Sequence, residues 1–188
     1  MESLSELERR LIVAMHEAGH AVTCVELSVP FGGVAIAGAQ AGDAQGDAAV
    51  NTEAFRIERA LDGHQDEVAR CRSQVIVCLA GRIAEEHAFG AGLTKAVGLN
   101  SGAQDERDAR RFAKTLAMSE LRKNRAAEID YELLPQLTIH TLAACRSAAS
   151  SIVKRRFAAI EAVGRALADA GALTACDVDA LAKAHPTG

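Results

Sequence analysis

The stretch MHEAGHAV, residues 15–22, carries two histidines four positions apart, with a glutamate directly after the first. It lies inside a longer pattern in which Leu4, Leu7, Leu11, Ala14, Met15 and Ala18 recur at three and four residues, the period of one helix face. That pattern predicts a helix from Ser3 to about Leu27, capped by Ser3 or Ser5 and ended by Pro30. On such a helix His16 and His20 stand one turn apart on one face, so two imidazoles converge on one ion. Glu17, about 100° round, reaches a water on that ion. The plain alternative is a metal-free helix whose two histidines are satisfied by core partners.

Working outward, VPFGGVAIAGAQAGDAQGDAAVN follows, and its short apolar runs at 34–36 and 48–50 are expected to pair as the sole β region. Thr52 is placed to cap a helix TEAFRIERAL, and a second helix is expected from about Gln65 to Phe89. Its run VIVCLAG is apolar all round, which predicts a central helix. After the glycine-bearing loop GAGLTKAVGLN, Ser101 with Gln104 reads as a capping box opening a helix to about Leu121. An Ala-rich helical stretch is expected from roughly Pro135 to Ala170, then a Gly171 stop and a last short helix CDVDALAKA before Pro186. The expected fold is mainly α, a single-domain helical bundle over 1–188 with a small β-hairpin or edge-strand region near residues 33–50. Its metal-site part spans about 1–122 and its C-terminal helical part about 123–188.

Composition agrees with packed helices. Hydrophobic residues make up 49% of the 188, with three prolines, five phenylalanines, one tyrosine and no tryptophan, so the core is built from Ala, Leu, Val and Ile. A net charge of −4 argues against nucleic acid as a partner. Cys24, Cys71, Cys78, Cys145 and Cys176 are odd in number and scattered, which suits a reducing cytosol. The acidic start MESLSELERRL is unlike a signal peptide, and no apolar run reaches the ~18–20 residues that span a bilayer. A soluble cytoplasmic protein is expected.

A catalytic zinc needs a third protein ligand. The extended form HExxHxxGxxH requires glycine at position 23 and histidine at 26, where the chain has Thr23 and Glu26. A thermolysin-like glutamate about twenty residues on is missing, since no glutamate occurs between Glu26 and Glu53. Cys24 lies another turn, about 6 Å, beyond His20 and reads as a core cysteine. Asp105 is the strongest candidate, because it falls in phase with Ala109, Phe112 and Leu116 on the helix after Ser101. Glu106 and Asp108 are its near neighbours as alternatives, and a helix-dipole role is the bland reading of Asp105. Glu106, Arg107, Arg110 and Lys114 face outward in that phase. His64, His87, His140 and His185 have no ligand-like spacing.

Three motifs in order, HEAGHAV, LAGRIAEEHAFG and SGAQDERDARRFAK, resemble the peptidase domain of FtsH-type ATP-dependent zinc proteases, which carry HEAGHA, GGRxAEExxFG and TGASNDxxxAT. RRFAAIEAVGRALADAGALTACDVDAL is similar to that family's final helices, so the resemblance runs from about Leu11 to Leu181. It implies that His16, His20 and Asp105 bind zinc and that Glu17 is the catalytic base. It also implies that Glu85 stands near the metal helix and orients a ligand, while Gly81 permits close helix packing. The implied activity is a zinc metalloendopeptidase acting on unfolded or flexible polypeptides. The rival is a non-catalytic zinc-binding helical scaffold or regulatory module. No GxxxxGK[ST] loop occurs, so activity is expected to be ATP-independent or to need a separate ATPase partner, and homo-oligomerisation stays open. The ligand set also suits iron, cobalt or manganese.

Overall fold

The computed structural model describes residues 5–36, 64–91, 101–124 and 131–186. Helix α1 spans Glu6–Glu26 and starts at Ser5, whose hydroxyl accepts from the Glu8 amide while the Glu8 carboxylate accepts from the Ser5 amide. Every residue from Ile12 to Cys24 is buried, so α1 is a core helix rather than a surface one. Helix α2, His64–Phe89, lies beside it and also packs on α3, Ser101–Asn124, and on α4, Leu134–Arg155. A 3-10 turn, Tyr131–Leu133, precedes α4. Helices α5, Phe157–Ala170, and α6, Ala175–Ala184, cover the remaining side of α1. The fold is thus mainly α, with six helices among the described residues. None is long and apolar enough to cross a membrane.

Two apolar clusters result. One joins α1, α5 and α6 through Met15, Val22, Ile160, Val163, Leu167 and Val178. The other joins α2, α3 and α4 through Val75, Ile76, Ala109, Leu116 and Ile152. Adjacent residues at the end of α4 enter different clusters, Ile152 one and Val153 the other. The expected continuous helix over 135–170 is therefore broken at Arg156, where φ is −104° and ψ is 13°. No glycine or proline marks the break. Its cause is long-range: the Arg156 guanidinium donates to the carbonyls of Ala182 and His185 at the end of α6 and lies 3.4 Å from the Glu26 carboxylate at the end of α1.

The β region also departs from expectation. Strand β1, Gly33–Ala35, pairs antiparallel with β2, Ala172–Thr174, with Val34 opposite Leu173. The residues at 48–50, expected as the partner, lie outside the described residues, as does the helix expected after Thr52. Gly171, at φ 81°, turns the chain out of α5, and its carbonyl accepts from the Ile36 amide. Gly33, at φ 147°, must be glycine for a second reason: a Cβ there would meet the Leu173 carbonyl oxygen at 2.7 Å. Helix α3 is described from Ser101 onward, the residues before it lie outside the described ones, and the Gln104 side chain bonds Asp108 and Arg107.

The α1–α2 contact is made close by small residues. A Cβ at Gly19 would meet the Ala84 Cβ at 2.6 Å and the Ala80 carbonyl oxygen at 2.9 Å. The carbonyl is backbone and cannot turn aside, so overpacking outweighs the helix propensity that alanine gains. Gly19→Ala is expected to destabilise by about 1–3 kcal/mol, read as a fall of about 3–10 °C in thermal midpoint. An unchanged midpoint would show the contact to be looser than described.

Candidate metal centre

Helix α1 presents His16 and His20 from one face, and α3 brings Asp105 to them from its first turns. Asp105 Oδ2 lies 3.0 Å from His16 Nε2 and 3.2 Å from His20 Nε2, and the two Nε2 atoms are 3.1 Å apart. These three residues form a group that could hold a metal ion. Glu106, by contrast, pairs with Arg110 at the surface, and Asp108 pairs with Arg111.

The outer nitrogens decide what the inner ones can do. His20 Nδ1 donates to the Val77 carbonyl at 2.7 Å, and a carbonyl only accepts, so that nitrogen carries the proton. His16 Nδ1 donates to Glu85 Oε2 at 3.0 Å. In the neutral rings both Nε2 atoms are then bare lone pairs, and they face each other and a carboxylate oxygen. Three acceptors converging at 3.0–3.2 Å repel unless a cation sits among them. Tetrahedral zinc, with bonds of about 2.0–2.1 Å, sets its ligand atoms about 3.3 Å apart, close to this triangle.

Gly81 makes the same point sterically. A Cβ at that position would collide with His20 Nε2, and would lie 2.7 Å from His20 Cε1 and 2.8 Å from His16 Nε2. Glycine therefore lets α2 lie directly against the inner nitrogens. The donor set of two imidazoles and a carboxylate at this spacing fits an ion. The packing role expected of Gly81 is real, but what it packs against is the pair of histidine rings.

A proton on an imidazole also meets this demand for positive charge. Burial works against a charged His16, yet its bonds to Asp105 and Glu85 and the nearby Glu17 charge outweigh this and push the imidazole up to about 10. Burial would raise the Asp105 carboxyl, but the two histidines hold it well below the usual carboxylate range. Burial raises the Glu17 carboxyl, only partly offset by His20 and His16.

Glu17 is 3% exposed, and its Oε1 has no hydrogen-bond partner among the described residues. A buried carboxylate oxygen left unpaired is uncommon and costs about 1–3 kcal/mol. Glu85 is fully buried against His16, whereas its neighbour Glu86 is half-buried and pairs with Arg82. Cys24 is buried in the core, and burial pushes its thiol up to about 12, in keeping with an inert side chain. Sequence reasoning missed the Val77 carbonyl, a backbone group no residue type announces. Scans against protein-family models and against curated proteins find no match for this chain.

Proposed function

We propose that the protein is a zinc-dependent metalloendopeptidase that cleaves peptide bonds in unfolded or flexible polypeptides, acting in the cytoplasm. The observation that carries the reading is Glu17, a buried carboxylate with an unpartnered oxygen on the helix that supplies two of the three metal-binding residues. A purely structural site has no use for such a group. The ordered resemblance to FtsH-type peptidase domains supports the same reading.

When bound, zinc supplies a Lewis acid that polarises a carbonyl oxygen and acidifies water. His16, His20 and Asp105 would hold it, and Val77 and Glu85 fix the two rings with their lone pairs inward. Glu17 takes the proton of the attacking water and hands it to the leaving amine. Substrates are extended segments, since folded chains cannot present their backbone to a site this buried. A separate ATPase partner would supply unfolded substrate.

The test combines metal analysis with cleavage of an unstructured fluorogenic polypeptide. The expected result is about one zinc per chain, cleavage lost on chelation and restored by one equivalent of zinc, and a lower thermal midpoint while the metal is absent. Asp105→Ala is expected to lose both metal and cleavage. A chain that takes up zinc yet cleaves nothing would be the scaffold instead, and a chain that takes up no metal would overturn the site itself.

A further inference from the structure

We infer that Arg82 is a positioning residue for the metal centre, acting through Glu85 rather than on the ion. The inference rests on the metal-binding part of the reading above and not on peptidase activity.

Glu85 is fully buried, and only one of its oxygens is used by His16. Its other oxygen, Oε1, lies 3.4 Å from Arg82 Nη1, which supplies the counter-charge a buried carboxylate needs. The guanidinium is itself held from behind: Arg82 Nε donates to Glu86 Oε1 at 3.0 Å, and Glu86 Oε2 lies 3.8 Å from Arg146 Nη2 on α4. Alternating charges thus run from α4 to the ring of a metal-binding histidine in the order Arg146, Glu86, Arg82, Glu85, His16.

The start of α3 borders this row of charges. A Cβ on Gly102 would lie 3.8 Å from Arg82 Cδ and 3.9 Å from His16 Cε1, so the arginine stem and the imidazole edge both border the start of that helix. The outer end of the chain opens on a groove of about 330 Å³ lined by Cys78, Arg82, Glu86, Gly102, Glu106 and Arg146. The bland account of Arg82 is an i,i+4 surface pair with Glu86, which would be nearly irrelevant to the metal. Only the contact to Glu85 distinguishes the two accounts. With that contact, rotation of the Glu85 carboxylate away from His16 Nδ1 is opposed from both sides, and the His16 lone pair keeps its aim.

The experiment is a double-mutant cycle on zinc affinity, measured by competition with a chromophoric chelator, in Arg82→Gln, Glu85→Gln and the double variant. Glutamine keeps most of the arginine stem, and helicity is recorded alongside to verify the fold. Each single variant is expected to weaken zinc by about tenfold, the scale at which outer partners of metal ligands act. The double variant is expected to be no weaker than Glu85→Gln alone within about twofold, because both changes break one path. Arg82→Lys is expected to recover most of the affinity. Arg82→Gln binding zinc within about twofold of the parent would overturn the inference while leaving the metal site standing. So would penalties that multiply in the double variant, or a lysine variant as weak as the glutamine one. A parent that binds no zinc would overturn the metal reading and this inference with it.

Discussion

Glu17→Gln is expected to keep the metal and lose the chemistry, with cleavage falling by about 10²- to 10⁴-fold, the span attributed to a general base. The two side chains have nearly the same shape, so the buried helix has no packing reason to rearrange. Neither glutamate nor glutamine is needed by the triangle of His16, His20 and Asp105, so zinc content is expected to stay at the parent level. An amide cannot accept the proton of water at neutral pH, and that is the function removed.

The same variant carries an opposite expectation for stability. Burial raises the Glu17 carboxyl, so the metal-free fold holds this proton more tightly than the unfolded chain does. A carboxyl raised on folding contributes stability below its unfolded value, and that contribution is lost as pH rises through the folded value. Above the carboxylate range the metal-free parent therefore carries a penalty that glutamine does not. Thermal denaturation of the chelated proteins at neutral pH should place Glu17→Gln at or above the parent. A variant that cleaves normally, or that melts well below the parent, would remove Glu17 from the role assigned to it.

Gly81→Ala is expected to empty the site. The added methyl would collide with His20 Nε2 and come within 2.8 Å of His16 Nε2, the two inner nitrogens of the candidate site. Neither ring can yield, because Val77 holds one and Glu85 the other from outside. Metal content should drop from about one ion per chain to near none. Alanine meanwhile favours helix over glycine by about 1 kcal/mol, so α2 itself should survive and circular dichroism should stay helical. Gly19→Ala, whose methyl would meet Ala84, the Ala80 carbonyl and the Gly81 Cα but neither ring, is the informative companion: it should lose stability and keep the metal. Full zinc content in Gly81→Ala would mean that the rings can shift from the methyl and still hold the ion.

Helix α1 was legible because its period is long, while the choice of Ser5 over Ser3 as its cap was not, since each is followed three residues later by glutamate. His16 and His20 were legible because two ligands four apart need nothing but a helix to converge. Asp105 was legible by phase: it shares a stripe with Ala109 and Leu116, and both are buried. Choosing Glu85 over Glu86 was open to the same argument, since Val77, Gly81 and Glu85 recur at four while Glu86 falls with Arg82. The strand Ala172–Thr174 was not legible, because three residues carry no alternation and their partner is far away along the chain. Nor was the break at Arg156, which is made by the carbonyls of α6 and by Glu26 rather than by any local breaker.

The arrangement of α1 between α2 and the pair α5 and α6 has a consequence for the newborn chain. One flank of α1 is covered by α5 and α6, which are synthesised long after it, and β1 waits for β2 in the same way. At about 5–20 residues per second, translation leaves α1 without that cover for on the order of ten seconds, while contacts so distant along the chain are slow to close. Until α5 and α6 emerge, the helix that carries His16 and His20 lacks the partners against which Met15 and Val22 are buried.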